Sequence, residues 1–258
     1  MSVEGVGVKE VLRRVFGAGL DPFSTFGRIV TRPDGFGPLL CMLLLVFAFS
    51  LQNATLLSKV FIYAARGNPV TPFVEQFDNT IRITAVNVTS SLRRVGPPSE
   101  EHFAALNVLS LGFGIASWFC WSLGVWVALK IVEGPPASST LLSGYILSVK
   151  FYEYLTKAII QAWYLKDLSR IEIILQLDAL TLNRILSMAS LGLASMRELQ
   201  TALLAHTAFF TVWSIVVTSA AVSRGYTPLR KAVVGGITAF LISSAAQAIA
   251  YNLLLMVL

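Results

Sequence analysis

Five long apolar blocks dominate this sequence and leave little choice of fold class. They cover residues 36–57, 106–131, 139–163, 199–222 and 232–257. Each is long enough to supply the roughly 20 apolar residues with which an α-helix crosses the hydrocarbon of a bilayer. Because a backbone inside lipid must satisfy its own hydrogen bonds, the blocks predict helices. We therefore expect an all-α fold, an integral membrane bundle of five transmembrane helices.

The composition argues against a soluble domain and against a nucleic-acid-binding protein. Charged residues make up 13% of the chain and hydrophobic residues 55%, whereas a soluble domain carries about 25% charge. The net charge is +6, but no basic patch with groove-reading or aromatic elements accompanies it, so nucleic acid is not an expected partner. Basic residues of a membrane protein instead favour contact with anionic lipid. The lipid bilayer is thus the first partner that we predict.

Residues 1–34 are predicted to be a cytoplasmic interfacial arm in front of a membrane domain, residues 35–258. Apolar residues of the arm recur at helical spacing, with basic residues largely opposite, which is typical of a helix lying on a membrane surface. The apolar set is Val8, Val11, Leu12, Val15 and Phe16, and the basic set is Lys9, Arg13 and Arg14. Asp21 and Pro22 fit the start of a second such helix. The charged first twenty residues do not resemble a cleavable signal peptide, so we expect the first apolar block to be retained.

Short basic segments set the predicted orientation, because such segments stay on the cytoplasmic side. The arm and the turn between the fourth and fifth blocks are both short and basic, which places the N-terminus in the cytoplasm and the C-terminus outside. Residues 66–103 and 166–198 then form outer loops. We expect the first helix to continue as an amphipathic helix to Ala65, and residues 168–196 to form one or two amphipathic surface helices or a lid. The triplets beginning at Asn53 and Asn87 fit glycosylation acceptors on that side.

The third block is unusual because it carries three charges near its middle. Lys150, Glu153 and Lys157 are spaced so that they share one helix face, close to Tyr154. A lone charge at this depth costs about 2.5–3.5 kcal/mol, and pairing with Glu153 lowers the cost. Two interpretations remain open: a structural group of ion pairs, or an intramembrane polar site for a substrate, a lipid or a proton.

Signatures of catalysis are missing from the sequence, and no enzyme activity or cofactor is predicted. It has no Walker motif, no His-Glu-x-x-His and no Gly-x-Ser-x-Gly. The two histidines, His102 and His206, are far apart, so no metal site is expected. Cys41 and Cys120 lie within apolar blocks and fit small apolar fillers. Small residues four apart, at 235, 239 and 243, predict close packing of the last helix.

Several short motifs resemble the Yip1-domain family of polytopic membrane proteins. Asp34-Gly35-Phe36-Gly37-Pro38 is similar to the Asp-Leu-Tyr-Gly-Pro motif that precedes the first span in eukaryotic members, and the stretch beginning Asp21-Pro22 is similar to the entry segment of prokaryotic members. The Gly144-Tyr145 pair stands where the family has a Gly-Tyr pair. Gly225-Tyr226 is similar to the turn before the last span. The matching positions are Asp21, Pro22, Asp34, Gly37, Pro38, Gly144, Tyr145, Gly225 and Tyr226.

The resemblance implies five spans with an inner N-terminus, and a role in membrane traffic as known for eukaryotic members. The first functional hypothesis is a non-enzymatic membrane scaffold or adaptor whose inner face contacts a cytosolic protein, lipid or a second copy of the chain. The residues predicted for that face are Arg28, Arg32, Arg224, Arg230 and Lys231. The alternative is a transporter or permease component that uses the site of Lys150, Glu153 and Lys157.

Overall fold

A computed structural model describes residues 6–88, 92–224 and 228–257 of the chain. The fold is mostly helical, with 73% of residues in helices. The helices are α1 (Val8–Leu20), α2 (Pro22–Thr31), α3 (Phe36–Leu57), α4 (Glu100–Ile131), α5 (Ser139–Leu165), α6 (Leu182–Ser195), α7 (Arg197–Arg224) and α8 (Leu229–Val257). Each of the five apolar blocks is a helix, with bounds close to those predicted.

Four of these helices are long and apolar enough to cross a membrane: α3, α4, α7 and α8. This agrees with a multi-pass membrane protein. Helix α5 does not reach the same hydropathy, because Lys150, Glu153 and Lys157 interrupt its apolar run. A fifth crossing therefore stays a prediction, and so does the opposite placement of the two termini.

Helix α5 has a different environment from the four apolar helices. Every residue from Leu142 to Lys150 is buried within the protein, whereas the longest uninterrupted buried run described in the other four helices is residues 217–222 of α7. Protein side chains rather than lipid can therefore surround this half of α5. That explains how it accommodates polar residues such as Ser143 and Ser148, which are both buried.

The described chain divides into two compact units. Unit 1 comprises Met1–Ala48, Ser110–Tyr154 and Thr207–Leu254, and unit 2 comprises Phe49–Leu109, Leu155–His206 and Leu255–Leu258. Within unit 1, α4 and α8 approach closely at the predicted small residues, since a Cβ added at Gly124 would overlap Ser243 and the Ala239 carbonyl. Glycine on one helix and small residues on the other allow this approach.

Unit 2 contains a β-sheet, so the all-α prediction is wrong for this part of the chain. The strands are β1 (Val60–Ala65), β2 (Pro69–Phe77), β3 (Thr80–Val86), β4 (Arg93–Gly96) and β5 (Arg170–Gln176), in the order β2-β3-β5-β1-β4. Strand β5 is central and runs parallel to β1 and β3, while β2 and β4 are antiparallel edge strands. The predicted helical continuation to Ala65 is therefore strand β1, which suits its β-branched and aromatic residues.

One face of the sheet is apolar and covered by α6. Ile81, Ile83, Ile171 and Ile173 are fully buried, and Gly192 of α6 lies against the first three of them. The predicted surface helices of residues 168–196 are thus half correct, since α6 is a helix but residues 170–176 form β5. Alternation of apolar and charged residues along Arg170-Ile171-Glu172-Ile173 fits a strand, which places Arg170 and Glu172 on the opposite face.

Candidate functional site

Asp34 stands directly in front of α3 and accepts hydrogen bonds with both carboxylate oxygens. Its Oδ1 accepts from the Gly37 N–H at 2.8 Å, which satisfies one of the amide groups left open at a helix start. Its Oδ2 accepts from Arg14 Nη1 at 3.0 Å and from the Tyr145 hydroxyl at 2.6 Å. Asp34 therefore joins the arm, the start of α3 and the buried half of α5.

Arg14 is almost completely enclosed, with 3% of its side chain exposed. Besides Asp34, its Nη1 donates to the Arg32 carbonyl at 2.6 Å and its Nε donates to Glu10 Oε1 at 3.1 Å. Burial alone would lower the pKa of Arg14, but the hydrogen bonds to Glu10 and Asp34 outweigh it and the pKa is raised. We call Glu10, Arg14, Asp34 and Tyr145 the Asp34 cluster.

The sequence did not identify Arg14 as a site residue. It was placed on the polar side of α1, whereas it lies on the buried face together with Val11, Val15 and Ala18. The predicted apolar stripe is also split, because Val11 and Val15 are buried while Val8, Leu12 and Phe16 stay exposed. The sequence signal that could have placed Arg14 on the buried face is its spacing of four from Ala18.

Two glycines of the predicted motifs allow close contact around the Asp34 cluster. A Cβ added at Gly37 would overlap the Tyr145 hydroxyl, and one added at Gly144 would overlap Pro38. Gly35, in the same turn, has open space around it. The structure thus brings five predicted motif positions together: Asp34, Gly37, Pro38, Gly144 and Tyr145.

The remaining motif and inner-face positions lie elsewhere. Asp21 precedes α2, and Pro22 is its first residue, while Gly225 and Tyr226 lie outside the described residues. Arg28 Nη2 donates to Ser24 Oγ within α2 at 3.1 Å. Of the other four inner-face positions, Arg32 is exposed and follows α2, Arg224 ends α7, and Arg230 and Lys231 are exposed near the start of α8.

The charged residues of α5 form an ion pair. Lys150 Nζ lies 2.7 Å from Glu153 Oε2, and 5.6 Å and 5.9 Å from the ring centroids of Trp121 and Phe240. Carboxylate and aromatic faces both stabilise a buried ammonium group. Tyr154 packs edge-on against Phe113, and Lys157 is partly buried one turn beyond Glu153.

The histidines serve in local contacts in unit 2. His102 Nδ1 lies 2.7 Å from Ser99 Oγ at the start of α4, and its Nε2 lies 3.1 Å from the Leu180 carbonyl. His206 Nε2 lies 2.8 Å from Thr156 Oγ1. Within the described ranges, no three His, Cys, Asp or Glu residues are grouped as metal ligands. Both cysteines are free thiols.

A second ion cluster, which the sequence did not predict, lies on the sheet of unit 2. Glu172 of β5 is buried with 3% of its side chain exposed, and it binds Arg82 of β3 and Arg170 of its own strand, each with an N–O distance of 2.8 Å. The Tyr63 hydroxyl lies 3.5 Å from the same carboxylate. We call Arg82, Arg170 and Glu172 the Glu172 cluster. The charges at 170 and 172, two apart, were the available signal.

Comparison with protein-family models, with curated proteins and with solved structures gives no match for this chain. The Yip1 resemblance therefore still depends on the short motifs alone.

Proposed function

We propose that the protein is a non-enzymatic integral membrane scaffold or adaptor of the Yip1 type, whose arm is a fixed cytosolic platform. The observation that carries this proposal is the Asp34 cluster. Arg14 of α1 donates to the Arg32 carbonyl and to Asp34 in front of α3, and Asp34 in turn accepts from the Tyr145 hydroxyl of α5. A buried ion pair contributes little net stability compared with apolar packing, so its use here favours a requirement for one defined orientation of the arm.

Further contacts hold the arm along its length. Trp213 Nε1 of α7 donates to the Gly19 carbonyl at 2.7 Å, and Gly19 packs against Tyr152 and Ser148 of α5. The opposite side of α1 stays exposed, with apolar residues at a spacing of four and with Lys9 and Arg13 beside them. The exposed apolar residues are Val8, Leu12, Phe16 and Leu20. Such a face fits the surface of an anionic membrane.

The proposed orientation has five crossings, with the arm in the cytoplasm and the C-terminus outside. It requires α5 to cross the membrane inside a shell of protein, which its buried half supports. Asn53 is buried and donates to the Phe49 carbonyl, so it is not a usable glycosylation acceptor.

Single cysteines at Lys9 and at Met256, in a chain in which Cys41 and Cys120 are replaced by alanine, should react with impermeant maleimide from opposite sides. Reaction from the same side would contradict five crossings.

The scaffold proposal is tested by photo-crosslinking in the native cell. A photoreactive residue placed at Arg28 or Lys231 should give one discrete adduct with a cytosolic protein. Charge reversal at Arg32 and Arg230 should abolish the adduct and leave a monodisperse protein in detergent. Arg184→Glu, on the exposed surface of α6, is the matched control and should leave the adduct intact. An equal loss of adduct in the control, or no adduct from a photoreactive chain without charge reversal, would contradict a platform.

Transport is the second candidate, supported by the buried ion pair of α5. Ionisable residues in membrane helices often mark a pathway for ions or substrate, and Lys150 and Glu153 are enclosed but paired. Transport predicts that Glu153→Gln abolishes flux of an ion or solute into proteoliposomes while the crosslinked adduct is unchanged. Flux that survives Glu153→Gln would remove this candidate.

A further inference from the structure

An open cleft of about 530 Å³ lies beside the Glu172 cluster. It lies where the parallel strands β3 and β5 begin, next to the two-residue turn, Asp78 and Asn79, that joins β2 to β3. Arg82 and Arg170 line it, and Glu172 lies beneath them. The cleft belongs entirely to unit 2.

Glu172 holds the two guanidinium groups in fixed orientations. Arg82 binds it through Nε and Nη2, at 2.9 Å and 2.8 Å, and its guanidinium also lies 5.5 Å from the centroid of the Phe77 ring. Arg170 binds the other oxygen through Nε at 2.8 Å, which leaves its two terminal nitrogens for a ligand. The two arginine side chains are 40% and 44% exposed, so their remaining N–H groups are accessible from solvent.

We propose that this cleft binds a small oxyanion, a carboxylate or a phosphate, through Arg82 and Arg170. Planar guanidinium groups match these oxygens with paired hydrogen bonds. The two arginines carry two positive charges against the one negative charge of Glu172, and Asp78 in the wall offsets the remaining positive charge. A ligand held there needs no reorientation of either side chain, because Glu172 has already fixed them.

Neighbouring groups restrict what fits. The Thr80 and Ser169 hydroxyls lie 3.1 Å apart, and Ser169 donates to the Asn79 carbonyl at 2.7 Å. These hydroxyls are thus engaged within the protein, and the arginines carry the binding. Asp78 adds a carboxylate to the wall of the cleft, which opposes a second negative charge. The site therefore favours a compact anion with low total charge over a polyanion.

The test uses the full chain in neutral detergent, with thermal unfolding followed by tryptophan fluorescence. Sodium phosphate and sodium acetate are titrated separately, and sodium chloride keeps the ionic strength constant. One of the two anions, or both, should raise Tm along a saturable curve, which also identifies the preferred oxyanion. Arg170→Gln should weaken the apparent affinity by at least about tenfold, because the paired hydrogen bonds are lost.

Three further variants separate binding from structure. Arg93→Gln removes a charge from an exposed residue of β4 and should leave the response unchanged. Asp78→Asn should tighten phosphate binding, because the opposing charge is removed. Arg170→Lys replaces the glutamine variant in this test if the glutamine variant does not fold. It should bind the anion more weakly than the unaltered chain, because lysine lacks the paired N–H donors of a guanidinium group. The proposal would be overturned if both Arg170 variants bound the anion as tightly as the unaltered chain does. It would also be overturned if the unaltered chain gave no saturable response to either anion.

Discussion

In unit 1 the fully enclosed member of the ion cluster is an arginine, whereas in unit 2 it is a glutamate. Arg14 directs its hydrogen bonds inward, to Glu10, to the Arg32 carbonyl and to Asp34. Glu172 is enclosed in turn by arginines that are nearly half exposed. The Asp34 cluster therefore holds elements of unit 1 together, whereas the Glu172 cluster presents accessible hydrogen-bond donors in unit 2. The difference depends on whether the arginine or the carboxylate of the ion pair is the buried partner.

The largest effect is expected from Asp34→Ala. It leaves the Arg14 charge buried with only Glu10 and a carbonyl beside it, and removing one partner of a buried pair costs about 3–5 kcal/mol of unfolding free energy. Chemical denaturation in detergent measures the change. The double variant Arg14→Met, Asp34→Ala should recover part of the loss, since no buried charge then remains. A single-variant loss below about 1 kcal/mol would mean that Arg14 reaches water.

Gly37→Ala is expected to come next. The added methyl group would overlap the Tyr145 hydroxyl, and overpacking of this kind costs about 1–3 kcal/mol. Gly35→Ala, two residues earlier, points into open space and should change stability by no more than about 0.5 kcal/mol. Thermal unfolding of the two variants side by side makes the comparison. Equal effects would show that contact with Tyr145 is not what requires glycine.

Glu172→Gln tests the other cluster with a smaller expected loss, about 1–2 kcal/mol. The two arginines lose their counter-charge, but both can turn toward water because they are 40% and 44% exposed. The same denaturation measurement applies, and the loss should be clearly below that of Asp34→Ala. A loss as large as that of Asp34→Ala would remove the distinction between the two clusters.

Arg170→Gln should have the smallest effect on stability, about 1 kcal/mol or less. Nearly half of its side chain is exposed, and Arg82 still neutralises Glu172. Unfolding without any added oxyanion gives the value. If the variant instead loses several kcal/mol, the arginine is mainly a structural support of the sheet.

The positions of the helices could be predicted because apolar length is a local property of the sequence. The grouping of Asp34, Gly37, Pro38, Gly144 and Tyr145 was anticipated only as a set of motif positions, not as contacts. Arg14 was missed because its partner Asp34 lies 20 residues away, and within α1 only its spacing from apolar residues such as Ala18 distinguishes it from Arg13.

The sheet could not be predicted by the same means. Its strands are short, and β5 pairs with β3 across about 90 residues of sequence. Residues 170–173 alternate between charged and apolar, and the run is then apolar through Leu175, a pattern that fits both a strand and a buried helix. Glu172 acquires its partners only when β3 and β5 are side by side, so its burial depends on pairing that no local window contains.

Some of the residues that enclose α5 are synthesised after it, so its surroundings are completed only late in synthesis. A segment leaving the ribosome partitions into lipid according to its own hydropathy, and α5 falls short of its four neighbours in this respect. The rings beside Lys150 come from Trp121, made earlier, and from Phe240 in the last helix. The ammonium group of Lys150 therefore gains its contact with Phe240 only after the C-terminal helix has been made, and a chain truncated before α8 would lack that contact.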